Sequence, residues 1–171
     1  MRFDQFVESW CMSYKPMLHE PGEVSKNKRF FFVDNYASMA DFMSSIPKTV
    51  SPCVVMESNQ EGMIKGGKET PEYTLYFMAK METSKPDGRM AHSVKLEAKQ
   101  HMLKFMAYLR HKIEMEEDRD LKNIDIDDVQ YATVGPLFNG WYAVTITLSD
   151  VKAWNICIDP NDYMEVDGNE A

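Results

Sequence analysis

The sequence predicts an α+β fold: a mixed, mainly antiparallel sheet packed against one long helix, joined by an N-terminal amphipathic helix and a short helix. Three observations carry this. Apolar residues recur at helical spacing from Val94 to Ile113, the period of a helix with one buried face. Runs rich in aromatic and β-branched residues occupy 73–81 and 141–148, as strands do. The third is the order of elements: a helix, a strand-helix-strand unit, a long Gly/Lys loop, another strand, one long amphipathic helix and a closing run of strands.

In chain order, Phe3, Phe6, Val7, Trp10, Cys11, Tyr14, Met17 and Leu18 fall on one helical face, predicting a helix from Asp4 to about Leu18 that ends before Pro21-Gly22. Arg29 to Val33, with three consecutive phenylalanines, reads as a short strand buried on both faces or at an interface. Asp34 or Asn35 can cap a short helix whose inward stripe is Met39, Phe42, Met43 and Ile46, stopped by Pro47. Cys53 to Met56 reads as a core strand. Ser58 to Pro71 reads as a loop too long for a tight hairpin turn, and loops of that length commonly bind something. Tyr73 to Met81 is expected to pair with the preceding strand and to close at Lys85-Pro86-Asp87-Gly88. The long helix runs from about Met90 to Glu116, with Val94, Ala98, His101, Met102, Phe105, Tyr108, Leu109 and Ile113 clustered on one side. Val129–Val134 and Trp141–Leu148 are expected to pair around Gly135-Pro136 and Asn139-Gly140, and Trp154–Ile158 adds a last strand.

The 171 residues fit a single domain over 1–159, followed by an acidic tail at 160–171. Hydrophobic residues at 44% provide enough apolar surface to offset the entropy of ordering the chain. The formal charge of −8 disfavours binding to nucleic acid or anionic membrane unless a basic stripe compensates, and none is evident. Cys11, Cys53 and Cys157 are odd in number and lie in apolar surroundings, so reduced, buried thiols are expected. The first residues lack a signal peptide's charged and apolar regions, and no apolar run nears the roughly 20 residues that span a bilayer. Fourteen methionines are compatible with adaptable contact surfaces.

Gly62 to Glu69 matches the phosphate-binding pattern G-x-x-x-x-G-K-[ST] except at its last place, where Glu69 replaces the magnesium-binding hydroxyl. Such a loop needs a helix start after its lysine, whereas Thr70-Pro71 leads into a strand, so a connecting loop is the stronger reading. His92, His101 and His111 project at different angles from one helix, which favours packed or solvated histidines over metal ligands. Asp125, Asp127 and Asp128 lack the glycine and distal glutamate of a calcium loop. Alternation with Ile124 and Ile126 predicts an outward acidic strand edge instead. Lys95, Lys99, Lys104, Arg110 and Lys112 scatter around the long helix, and no Ser or Cys sits in a nucleophile elbow. No cofactor, metal or reaction is implied.

One resemblance gives the chain a role. Arg29-Phe-Phe-Phe-Val33, Pro52-Cys-Val-Val-Met-Glu57, Tyr73-Thr-Leu-Tyr-Phe-Met-Ala-Lys80 and Asn139-Gly-Trp-Tyr-Ala-Val-Thr-Ile-Thr-Leu148, spaced around an N-terminal, a short and a long helix, resemble small virion proteins of tailed phages of Bacteroidetes-type hosts. The layout from Phe3 to Ile158 is similar to that of tail-terminator and head-tail joining proteins. The resemblance implies a non-enzymatic ring of six or twelve copies in the neck or tail of a virion, assembled in the host cytoplasm. Its partners would be itself and portal, neck or tail proteins, with genomic DNA passing nearby without sequence-specific binding. Candidate subunit contacts are Trp10, Phe30, Phe32, Gly62, Lys65, Gly66, Gly67, Lys68, Asp125, Asp127 and the acidic tail; for Trp10 and the phenylalanines, core packing is the competing reading. The alternatives are a nucleotide- or small-molecule-binding enzyme using the Gly62–Lys68 loop, and a monomeric protein-binding adaptor.

Overall fold

The computed structural model describes residues 2–22, 25–33, 42, 49–65, 68–81, 87–115, 119–137 and 140–153; over 58–65, 68–69, 119–120 and 152–153 it describes the backbone alone. Helix α1 (Phe3–Ser13) is followed by β1 (Phe30–Val33), β2 (Cys53–Lys65), β3 (Lys68–Lys80), helix α2 (Gly88–Glu114), a 3-10 turn (Arg119–Asn123), β4 (Tyr131–Val134), β5 (Trp141–Ser149) and β6 (Lys152–Ala153). The strands form one sheet in the order β1-β2-β3-β5-β4, with β6 paired to the far end of β3. Among the described residues only β1 and β2 run parallel; every other pairing is antiparallel. The expected α+β class is thus observed.

Strand alternation sorts the apolar residues onto two faces. Phe30, Val54, Met56, Leu75, Phe77, Val144, Ile146 and Leu148 point to the side covered by α1 and α2. Phe105 of α2 sits at the centre, its ring 5.1 Å from Trp10, 5.5 Å from Phe77 and 6.2 Å from Phe6. Each such side chain contributes about 1.5–3 kcal/mol on full burial, so this junction fixes both helices on the sheet. The opposite face carries a smaller cluster of Phe31, Val33, Cys53, Val55, Met78, Trp141 and Ala143 with Phe42. That cluster explains why consecutive phenylalanines are needed: Phe30 and Phe31 serve opposite faces of one strand.

The buried thiols of Cys11 and Cys53 are free, and burial pushes both pKa values up, that of Cys53 to about 12. Both cysteines therefore pack as small apolar groups, as the sequence implies.

Several elements depart from expectation. Helix α1 ends at Ser13 rather than near Leu18, because Pro16 has no amide hydrogen and disfavours helical geometry in the residue before it. Met17 still reaches the core from the following turn. Helix α2 starts at Gly88, two residues early, because Asp87 is its N-cap and accepts a hydrogen bond from the Met90 amide at 2.8 Å. Asp125 and Asp127 do not lie on a strand: Ile124 makes a single bridge to Asp150, and the Asp127 amide donates to Asp125 Oδ1 at 3.1 Å in a local turn.

The largest correction concerns Ser58–Pro71. This segment is not a loop but the outer part of a β2–β3 hairpin, paired from Cys53↔Met78 out to Lys65↔Lys68. Only residues 66 and 67 intervene, matching the two-residue connection that a Gly-Gly pair favours. A register shift between Asn59 and Gly62 sits where Pro71, which has no amide to donate, faces β2. The short helix expected at 35–46 (Phe42 apart), the strand at 154–158, Cys157 and the acidic tail lie outside the described residues.

Candidate functional site

The sheet has a base and a free end. At the base, a polar clasp fixes the connections around β1. The His19 ring accepts the Arg29 amide on Nδ1 at 2.9 Å and faces Glu8 with Nε2 at 3.3 Å. An imidazole accepting at Nδ1 is neutral with its proton on Nε2, so it donates to Glu8. The Arg29 guanidinium bonds Asn27 at 2.7 Å, the Pro16 carbonyl at 3.1 Å and the Ser51 carbonyl at 3.0 Å. The Ser51 hydroxyl in turn accepts the Lys80 amide at 3.0 Å. These bonds tie the turn after α1 to the starts of β1 and β2.

At the free end, β2 outruns β1. β1 stops pairing at Glu57 and β5 stops at Glu72. Eight further residues of β2, 58–65, continue with β3 on one side and no described strand on the other. At roughly 3.3 Å per residue this is an arm of about 25 Å; on its β3 side the chain after β5 follows it outward, the Asp150 amide donating to the Pro71 carbonyl at 2.9 Å and β6 pairing with Lys68 and Glu69, so the uncovered edge is that of β2. At its root the face away from the helices is polar: Tyr76 donates to Glu57 at 3.0 Å, and the Thr74 and Thr147 hydroxyls share a bond of 3.3 Å. Burial, then Glu57, pushes the Tyr76 pKa up to about 12, which keeps the phenol protonated as a donor.

Beside the same end, a cleft of about 750 Å³ lies between the end of α2 and the segment after the 3-10 turn. Arg110, Glu114, Lys122, Asp125 and Asp127 rim it over Ile113 and Ile124. A smaller cleft of about 420 Å³ opens at the base between Ser51, Lys80, Ser93 and Glu97. Near it, buried His101 of α2 shares a 3.0 Å hydrogen bond with the Tyr14 hydroxyl, and its Nε2 lies 3.7 Å from Glu97. Burial pulls the His101 pKa down, and the Glu97 carboxylate opposes this more weakly. Tyr14-His101 is therefore a polar latch between α1 and α2.

The residues proposed from sequence as subunit contacts separate into three groups. Trp10 and Phe30 are consumed by the core: Trp10 stacks on Tyr14 at 4.6 Å and Phe30 packs edge-on to His19 at 6.2 Å. As contact residues these two are corrected. Phe32, 38% exposed on β1, and Asp125 and Asp127 at the cleft rim remain on the surface. Gly62, Lys65 and Lys68 belong to the arm's strands, and Gly66 and Gly67 lie outside the described residues.

The arm's geometry also removes the basis of the phosphate loop. Its first glycine and its lysine sit on opposite strands, and β3 begins at Lys68, so no helix start presents amides to an anion there. What the sequence reading missed is the other sheet edge. All four residues of β4 are exposed, Tyr131 at 51%. The available signal was Tyr131-Ala-Thr-Val134 itself, a strand with no charged residue.

No protein-family model matches this chain, and no curated protein matches its sequence. No helix among the described residues is long and apolar enough to cross a membrane.

Proposed function

We propose that this protein is a non-enzymatic structural subunit of a phage particle, forming a ring of identical copies in the neck or tail, in the manner of head-tail connectors and tail terminators. The observation that carries the proposal is the arm. Eight residues of β2 extend past β1 with no strand beside them on that side among the described residues, and natural proteins seldom leave such an edge uncovered in their working state. An arm held rigidly by the sheet at its root can reach a neighbouring copy without any change of fold. Identical copies joined head to tail close into a ring when the rotation between them closes. A net charge of −8 is compatible with a passage for DNA that does not adhere to its wall.

The test is to shorten the arm while keeping its turn. Deleting 60–65 and 68–71 joins Asn59 and Glu72, already paired in register, through Gly66-Gly67. The expected outcome is a chain that still unfolds in one cooperative transition, with less strand signal in circular dichroism, and no longer assembles, read by light scattering and negative-stain microscopy. Unaltered assembly of the shortened chain would refute the arm's role.

A further inference from the structure

We propose that the two outer edges of the sheet pair with each other between neighbouring copies, β1 of one against β4 of the next, antiparallel, with Phe32 of one copy packed on Tyr131 of the next; this rests on the ring reading above and names the contact that closes it. Among the described residues, nothing pairs on the outer side of either strand. Edge strands are usually defended by lysine, proline or inward charge. Here Phe30–Val33 and Tyr131–Val134 contain none of these in either four-residue strand, although charged residues make up 27% of the chain.

The occupant follows from direction and face. Taking β1 as running up, β2 runs up, β3 down, β5 up and β4 down. A copy displaced sideways across the strands, with its helices kept on the same side of the sheet, presents an upward β1 to a downward β4. Antiparallel pairing results, the slightly more stable kind. A single other protein would match one edge; a second copy of this chain matches both.

Side-chain alternation then limits the register, because a slip of one residue would send every side chain to the wrong face. Phe32 lies opposite Met56 and Tyr131 opposite Ile146, and both partners point to the helix-covered face. Phe32 and Tyr131 are the exposed aromatic rings of that face among the described residues, at 38% and 51%. Setting Phe32 against Tyr131 brings the two rings together and places Phe31 opposite Ala132 on the other face. Lys99 supports the Tyr131 ring from α2, with Nζ 4.4 Å from its centroid and 2.7 Å from its hydroxyl. The apolar layer beneath the helices would then run on from one copy into the next.

Two variants test this, Phe32→Asp blocking one edge and Tyr131→Asp blocking the other, the second placing a carboxylate where Lys99 can still pair with it. In a head-to-tail assembly each variant keeps one competent edge. Light scattering should therefore find each alone monomeric and their equimolar mixture a heterodimer, while the wild-type chain forms rings. Phe32→Ser and Tyr131→Ser serve if either aspartate variant melts earlier than wild type. Rings formed by either variant, a dimer formed by one variant alone, or a mixture that stays monomeric would each overturn the pairing while leaving the ring reading intact. A wild-type chain that stays monomeric up to its solubility limit overturns both.

Discussion

At the scale of single residues, the fold is held where rings from three elements converge. Phe105 touches α1 through Phe6 and Trp10 and the sheet through Phe77. Truncation leaves a cavity that those rings cannot fill, so Phe105→Ala should cost about 3–5 kcal/mol in urea unfolding, whereas Leu103→Ala, at a side chain 52% exposed, should stay within about 0.5 kcal/mol. His101 supplies a pH-dependent term. Its pKa in the folded protein lies below the ordinary 6.5, so between the two values the unfolded chain binds a proton that the folded chain does not. Stability from this group is complete above about pH 6.5 and is lost as pH falls below it. His101→Gln should flatten that part of the pH profile of melting temperature; an unchanged slope would mean that other groups carry it.

At the scale of elements, local signals decided some boundaries and tertiary pairing decided others. The long helix was legible because its apolar residues keep helical phase along its whole length, and its start was set by a single capping carboxylate. Asp87→Ala should lower stability by about 1 kcal/mol by leaving the Met90 amide without its partner. The hairpin arm was not legible past Glu57. A strand announces itself by alternation only where one face is buried, and Ser58-Asn-Gln-Glu-Gly62 is a polar run with no alternation. Gly62 and Pro71, which read as loop residues, are paired with each other beside the register shift of the hairpin. The end of α1 was misjudged for a related reason: Met17 keeps the helical phase and is buried, but Pro16 has already broken the backbone.

For the whole molecule, the same contrast separates what could be read from the candidate site. Trp10 and Phe30 drew notice because they are large and apolar, and such residues are mostly spent inside. The surfaces left for partners are marked by what they lack: no charge on β1 or β4, and no strand beside the outer half of β2 among the described residues. Absence of edge protection becomes visible only once the strand order is known, which is why β4, expected as a strand, does not stand out in the sequence as a contact edge. A sheet with two undefended edges and an extended hairpin at one end is suited to join copies of itself, and association of that kind responds to interface changes mainly through dissociation rate.

The most direct measurement is the mass of the purified wild-type chain in solution by native mass spectrometry. One closed species at six or twelve times the 19.8 kDa chain mass is expected, annular by microscopy. A single species at 19.8 kDa, unchanged at the highest attainable concentration, would contradict it.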